Sequence, residues 1–268
     1  MTDAKIAVLM TCFNRRALTL ACLATLAGQD GFDPSALFLV DDGSSDGTGD
    51  AVREAFPEAQ VIQGTGSLFW NGGMRLAWDT ATRDPRSFDF YLWLNDDVAL
   101  ADGTLAMMVA DADAMVPRGG PVIVAAAANE PGEPDTITYG AHRRPSASNP
   151  LRLNMVKPTG KPEPVDTISG NMVLVSASAQ ERLGNMDPRF VHIYGDLDYG
   201  FRAGESGVPM YLASRSGGTC AANPVTGSLD SSQPRLVRLR QRWAEEGKLH
   251  AQDWRRFVAI HAGGPSRA

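Results

Sequence analysis

Two places in the sequence set adjacent carboxylates directly after an apolar run. "FLVDDGSSDGT" ends its run on Asp41 and Asp42, and "LWLNDDV" ends on Asn95, Asp96 and Asp97. Like charges side by side repel unless a cation, a hydrogen-bonded partner or solvent compensates. A turn with a helix cap accounts for Asp46. It does not account for two acids leaving a buried strand, although solvated turn acids stay open for either pair taken alone. Ligands made only of oxygen suit Mg²⁺ or Mn²⁺, and magnesium commonly takes one or two protein carboxylates while phosphate oxygens complete its shell. The chemistry indicated is a divalent cation with a diphosphate. Successive residues leaving a strand point to opposite sides, so one acid of the second pair is expected on the metal and the other elsewhere on the ligand.

A third acidic group, "YGDLDYGFR", puts Asp196 and Asp198 in the first turn of a helix and Arg202 one turn later. Capping and the helix dipole explain acids there. A carboxylate beside a bound hydroxyl also serves as a general base, and spacing does not choose between the two. Other motifs fall short. The D-x-S-x-D-G spacing from Asp42 to Gly47 begins like a calcium loop, but Arg53 stands at the twelfth position, where a bidentate Glu is required. "GTGSLFWNGG" matches neither a P-loop nor a dinucleotide fingerprint in full.

The elements that must position these groups are legible in the first half. Residues 5–10, 37–40, 60–63 and 88–94 have the composition of strands, and 16–27, 47–56 and 72–81 have helical spacing. That alternation predicts βαβ units around a mostly parallel sheet. Ser45 or Asp46 can cap the second helix. Ligands in such sheets bind beyond the C-terminal strand ends, so the loops at 11–14, 41–47 and 95–97 are expected to converge. Residues 104–115 look helical and 122–128 form another buried strand. From 129 to 164 Pro, Gly, Ser and charge replace periodicity, which predicts long loops around at most a short hairpin. Regularity returns with a strand at 168–176, a helix at 177–183 and the acidic segment at 191–207. Beyond Pro224, residues 235–246 and 253–261 look like two amphipathic helices, with Pro234 suited to the first helical position. Arg235, Arg238, Arg240 and Arg242 are most simply expected on a solvated helix face, with contact to a lipid-linked or anionic partner as the other reading.

The chain has 268 residues, 43% hydrophobic and 21% charged, which suits one large globular domain with or without an appendage. A net charge of −6 offers no general attraction to nucleic acid or to an anionic membrane, so an anionic ligand must be held locally. Cys12, Cys22 and Cys220 are too few and too dispersed for a disulfide framework or a zinc site; they are expected as small buried hydrophobes in a reducing cytoplasm. No apolar run approaches the roughly 20 residues of a spanning helix, and the N-terminus lacks the pattern of a signal peptide. Nucleic acid and a transmembrane segment are therefore not expected. Peripheral membrane contact and self-association stay open.

Taken in order, "VLMTCFNR", "FLVDDGSSDGT", "WLNDDV", "ISGNMVLVS" and "NMDPRFVHIYGDLDYGFRAGESGVPMYLA" resemble the inverting, nucleotide-sugar-dependent glycosyltransferases of family 2, rhamnosyltransferase-like members among them. The ordered set, over about residues 4–225, carries the specificity. The resemblance implies the α/β GT-A fold, a Rossmann-like, mostly parallel sheet flanked by helices. It places a glycosyltransferase domain at 1–225, with a donor half at about 1–128 and an acceptor half at about 165–225, and leaves 226–268 as a C-terminal helical appendage. It implies Mg²⁺- or Mn²⁺-dependent, inverting transfer of a hexosyl or deoxyhexosyl group. The donor would be a UDP-, dTDP- or GDP-sugar and the acceptor a hydroxyl of a saccharide or lipid-linked saccharide, in polysaccharide or glycolipid assembly in the cytoplasm or at the inner membrane face.

Residue by residue, the resemblance implies that Thr11 and Asp42 contact the nucleotide base, with Asp41 supporting their loop. Asn95-Asp96-Asp97 takes the family's D-x-D position, with Asp97 as metal ligand, Asp96 on the ribose or donor sugar, and Asn95 replacing the first acid. Trp70, Asn71 and Gly72 fall at the donor pocket, and Gly170 and Asn171 on the acceptor side. Asp196 corresponds to the catalytic base, with Gly195 in place of the usual Glu. Asp198 and Arg202 follow as acceptor-side or orienting groups, Arg202 either orienting the acids or meeting the diphosphate. Cys220 stands where a histidine is often found. The roles of His192 and His261 stay open, with His261 expected to pack or hydrogen-bond in the appendage. Two other classes remain. A sugar-nucleotide pyrophosphorylase-like nucleotidyltransferase normally needs a glycine-rich basic loop that "TCFNRRAL" does not supply. A non-catalytic sugar-binding module leaves the coexistence of Asp42, Asp97 and Asp196 unexplained.

Overall fold

A computed structural model describes residues 3–146, 151–223, 234, 236–237 and 245–262. Its strands in chain order are β1 (Ile6–Cys12), β2 (Leu37–Asp41), β3 (Gln60–Gln63), β4 (Phe90–Leu94), β5 (Ala99–Leu100), β6 (Ile123–Ala125), β7 (Ala128–Glu130), β8 (Glu133–Tyr139), β9 (Ala141–Arg143), β10 (Asn154–Met155), β11 (Glu163–Pro164), β12 (Thr167–Ile168), β13 (Met172–Ser176), β14 (Met210–Leu212) and β15 (Gly218–Thr219). The helices are α1 (Arg16–Ala27), α2 (Thr48–Ala55), α3 (Phe69–Thr82), α4 (Thr104–Met115), α5 (Ala177–Leu183), α6 (Gly195–Glu205) and α7 (Glu245–His261).

β2, β4 and β13 are buried along their whole lengths, as strands covered on both faces must be. They belong to a sheet ordered β11-β14-β6-β13-β4-β1-β2-β3. β3, β2, β1 and β4 run parallel, whereas β13 is antiparallel to both β4 and β6. Chain order departs from β1 in both directions, to β2 on one side and β4 on the other, which opens a ligand crevice beyond its C-terminal end. Side chains alternate accordingly: Val8 and Met10 pack with Leu23 and Leu26 of α1 and Met108 of α4, while Ala7 and Leu9 share the opposite core with Met74 and Trp78 of α3 and Tyr199 of α6. Trp93 of β4 lies 5.3 Å from Trp78 and 5.0 Å from Tyr199 between ring centroids. Such edge-on aromatic pairs add about 0.5–1.5 kcal/mol each beyond burial. They tie the strand bearing Asp96 and Asp97 to the helix bearing Asp196.

Two expected strands are divided. Residues 122–128 contribute β6 to the large sheet and β7 to another, and the run at 168–176 breaks into β12 and β13, leaving Gly170 and Asn171 in the gap. The expectation of long loops from 129 to 164 is corrected. β7 and β8 form an antiparallel hairpin in the sheet β5-β15-β7-β8, and β9 and β10 join β12 in a further small sheet. β8 is an outer strand, exposed over its first four residues, and so carries no alternating apolar signature. Residues 147–150 lie outside the described chain.

α7 reaches back to Glu245 and buries Asp253, Phe257 and His261 against the body of the molecule. The other C-terminal helix, expected at 235–246, falls mostly outside the described residues, as do Arg235, Arg238, Arg240 and Arg242. No helix of the described residues is long and apolar enough to cross a membrane.

Candidate active site

The loops after β1, β2 and β4 converge, together with the β12–β13 break and the start of α6, around a cavity of about 680 Å³. Thr11, Asp42, Trp70, Asp97 and Asp196 are among its lining residues. Asp41 does not line it. Its buried carboxylate accepts hydrogen bonds from the N–H groups of Ser44 (2.8 Å) and Gly49 (3.1 Å), bracing the loop into α2. The cap residue of α2 is Gly47, so neither Ser45 nor Asp46 holds the position expected of it; Asp46, one residue earlier, accepts from the Thr48 N–H at 3.0 Å.

Asp42 explains why α3 begins at Phe69, three residues before the expected start. One carboxylate oxygen accepts from the N–H of Gly66 (2.8 Å), the other from those of Leu68 (2.8 Å) and Phe69 (3.0 Å). An acid from a distant loop thus satisfies helix-terminal donors that no local side chain caps. At the next residues of α3, Trp70 donates from Nε1 to Asn95 Oδ1 at 2.7 Å, turning the Asn95 side chain toward α3. Asn71 and Gly72 do not line the cavity. Asn71 is fully buried, and its Nδ2 donates to the carbonyls of Asp187 (3.1 Å) and Phe190 (2.6 Å).

All four carboxylate oxygens of Asp96 and Asp97 receive hydrogen bonds. Arg15 Nη1 lies 3.0 Å from Asp96 Oδ1 and 2.8 Å from Asp97 Oδ2. Thr19 donates to Asp96 Oδ2 at 3.3 Å, and the Cys220 thiol reaches Asp97 Oδ1 at 3.5 Å. Burial pushes the Asp96 carboxyl up to about 6 against the opposing pull of Arg15. Burial also raises the Cys220 thiol to about 12, so it is a neutral donor. Among the described residues no three His, Cys, Asp or Glu side chains form a metal-holding group. The chain can still offer a hard cation the exposed edge of this acid pair, provided that phosphate oxygens and water complete the shell, and that donor set suits Mg²⁺ or Mn²⁺. The anionic pair already draws a cationic side chain into contact.

In the same cavity, Asp196 Oδ2 accepts from the Gly170 N–H at 2.9 Å and Oδ1 from the Leu197 N–H at 2.8 Å. Burial raises its pKa, and these two donors act in the opposite direction. A Cβ on Gly170 would stand 2.4 Å from the Trp70 ring, so the glycine lets the indole close over this corner. Gly195, where the family resemblance expects Glu, has no room for a side chain: a Cβ would lie 2.0 Å from Asn71 Oδ1. Asn171 also lines the cavity and donates to Cys220 Sγ at 3.7 Å.

Asp198 and Arg202 sit behind the cavity. The Asp198 carboxylate is buried between Arg202 Nε (3.0 Å) and His261 Nε2 (2.9 Å), which joins α6 to α7. One turn earlier in α7, Phe257 stacks on Tyr194 with ring centroids 5.0 Å apart. Asp253, fully buried, accepts from the N–H groups of Val191 (3.2 Å), His192 (3.0 Å) and Ile193 (3.3 Å). Tyr194 itself has φ of 68°, a left-handed conformation unfavourable for an aromatic residue, two positions before Asp196. α7 thereby fixes the segment that delivers Asp196. Sequence reasoning passed over Arg15 and Asp253. A lone arginine in a loop and a lone aspartate in a helix have no periodic or motif signal; their partners are supplied by the tertiary fold.

The family model for Glycosyl transferase family 2 matches residues 7–169. The chain belongs to glycosyl transferase family 2. The matched span holds the acid pairs after β2 and β4 and ends at the β12–β13 break, short of Asp196. Among curated relatives of this family 2 chain is the N-acetylglucosaminyl-diphospho-decaprenol L-rhamnosyltransferase of Mycobacterium tuberculosis, 26% identical over 206 residues. The match covers 68% of this chain and 65% of the relative, less than two thirds of that protein's length. Similar solved structures include S. aureus TarS 1-349 (TM-score 0.56, 15% identity, 96% of this chain and 72% of that one). GalNAc-T7 with UDP, GalNAc and Mn²⁺ gives a TM-score of 0.61 at 12% identity, over 97% of this chain and 54% of that one. The mannosyltransferase PcManGT from Pyrobaculum calidifontis, in complex with GDP-Man and Mn²⁺, gives 0.53 at 15%, over 98% and 77%. At these identities the likeness establishes the fold, which is GT-A.

Proposed function

We propose that this family 2 chain is a metal-dependent, inverting glycosyltransferase that moves a sugar from a nucleotide-sugar to an acceptor hydroxyl in polysaccharide or glycolipid assembly. The observation that carries the reading is Asp196, held by two backbone donors with a raised pKa, in the same cavity as the Asp96–Asp97 pair. The nucleotides and Mn²⁺ named with two structural neighbours, and the lipid diphosphate named for the curated relative, support the ligand classes.

In this reading Thr11 and the Asp42 loop receive the base, Asp96 the ribose or donor sugar, and Trp70 the wall of the donor pocket. Asn71 and Gly72 act from behind that wall. Asp97 would hold the divalent ion, which when bound neutralises charge on the departing diphosphate. Gly170 and Asn171 border the acceptor. Asp196 takes the proton of the acceptor hydroxyl while its oxygen bonds to the anomeric carbon opposite the leaving group. The bond from that carbon to the diphosphate oxygen breaks, its electron pair leaves with the nucleoside diphosphate, and the configuration inverts. Asp198 and Arg202 keep α6 oriented for this transfer.

The test is release of nucleoside diphosphate from a panel of UDP-, dTDP- and GDP-sugars offered with saccharide acceptors, with and without Mn²⁺. One donor class turning over only with the metal is expected. Equal release in chelator would overturn the metal assignment, and no release from any donor would overturn the transferase reading.

A further inference from the structure

We propose that Arg15 is a resident counter-cation of the Asp96–Asp97 pair, which a divalent ion must displace, so that metal and nucleoside diphosphate bind cooperatively through this one side chain. The inference rests on reading the cavity as the donor site, and deepens it by naming the residue that couples its two ligands.

A single guanidinium nitrogen contacts both carboxylates, at 3.0 and 2.8 Å. Thr19 and Cys220 satisfy the remaining two oxygens. No carboxylate oxygen of the pair is thus left without a donor, and a dication approaching the pair meets a positive charge already in contact. The two cations exclude one another by electrostatics and by occupancy of the same oxygens. The side chain is free to leave: it is 41% exposed, whereas those of Asp96 and Asp97 are 7% and 16% exposed. Its backbone is held, because the Arg15 carbonyl accepts from the N–H of Thr19. Only the side chain swings.

Where it swings decides the coupling. With metal alone, the displaced guanidinium exchanges two carboxylates for water. With a nucleoside diphosphate in the same cavity, it gains an anion suited to its planar donors. The diphosphate therefore lowers the cost of displacing Arg15, and by linkage each ligand raises affinity for the other by the same factor.

The test measures Mn²⁺ binding by the electron paramagnetic resonance of the free ion, with metal alone and with saturating UDP, dTDP or GDP. Wild type is compared with Arg15→Ala, Arg15→Gln and Arg15→Lys. Removing the guanidinium is expected to tighten binding of Mn²⁺ alone by about tenfold or more, and to shrink the further tightening produced by nucleotide. Arg15→Lys, which keeps the charge but not the fork, should fall between. Unchanged or weaker binding of Mn²⁺ alone by both neutral variants, or an undiminished nucleotide effect, would overturn the inference. If wild type binds no Mn²⁺ with any of the three nucleotides, the donor-site reading itself fails. If only Asp97→Ala loses Mn²⁺ while the Arg15 variants match wild type, that reading stands and the role of Arg15 falls.

Discussion

The acids of the site do unequal work. Asp96 is the more buried of its pair and its carboxyl is pushed up to about 6 from an ordinary 3.8. A carboxyl raised on folding binds its proton more tightly in the native state than in the unfolded one. Its contribution to stability therefore declines as pH rises from about 4 to about 6, and its ionised form is unfavourable to the fold at neutral pH. Asp96→Asn is accordingly predicted to raise Tm at pH 7 and to give little or no gain near pH 4, in thermal unfolding without divalent ions. A fall in Tm at pH 7 would make the ionised carboxylate a net stabiliser through Arg15. Residues of this kind were legible in the sequence because each acid stands at the end of an apolar strand, where charge needs a reason. Arg15 was not, since its partners lie 81 and 82 positions away.

At the scale of elements, α3 and α6 meet where neither allows change. Gly195 faces Asn71 Oδ1, which accepts from no protein donor among the described residues. Gly195→Ala would force the pair apart, and such overpacking costs about 1–3 kcal/mol. It is predicted to lower Tm, as calorimetry would report. A variant as stable as wild type would mean that Asn71 has room to retreat. α7 makes the second element-scale claim. Asp253→Ala would strand the N–H groups of Val191, His192 and Ile193, each now bonded to that carboxylate. Faster hydrogen exchange at 191–193, with lower turnover and unimpaired nucleotide binding, is predicted; unaltered exchange would contradict the bracing role. The amphipathic spacing of 253–261 made the helix legible but not its target. The small sheets between 129 and 164 were hidden for a different reason: their strands are short or exposed and lack the period-two alternation that marks a half-buried strand.

Over the whole molecule, the parallel strands around β1 and the antiparallel β13 bring Asp42, Asp96, Asp97 and Asp196 to one cavity from positions spread over more than half the chain. The parallel half was readable because βαβ alternation dictates it. The closing half was not, because antiparallel insertion of β13 between β4 and β6 leaves no local mark. The acid pair and Asp196 line the same cavity, and the proposed reaction depends most on Asp196. The most direct measurement is steady-state transfer by Asp196→Asn on the donor that wild type turns over, paired with nucleotide titration of both proteins. General-base catalysis is typically worth 10²- to 10⁴-fold. A loss of about that size with nucleotide affinity unchanged is predicted, and transfer at the wild-type rate would contradict the account.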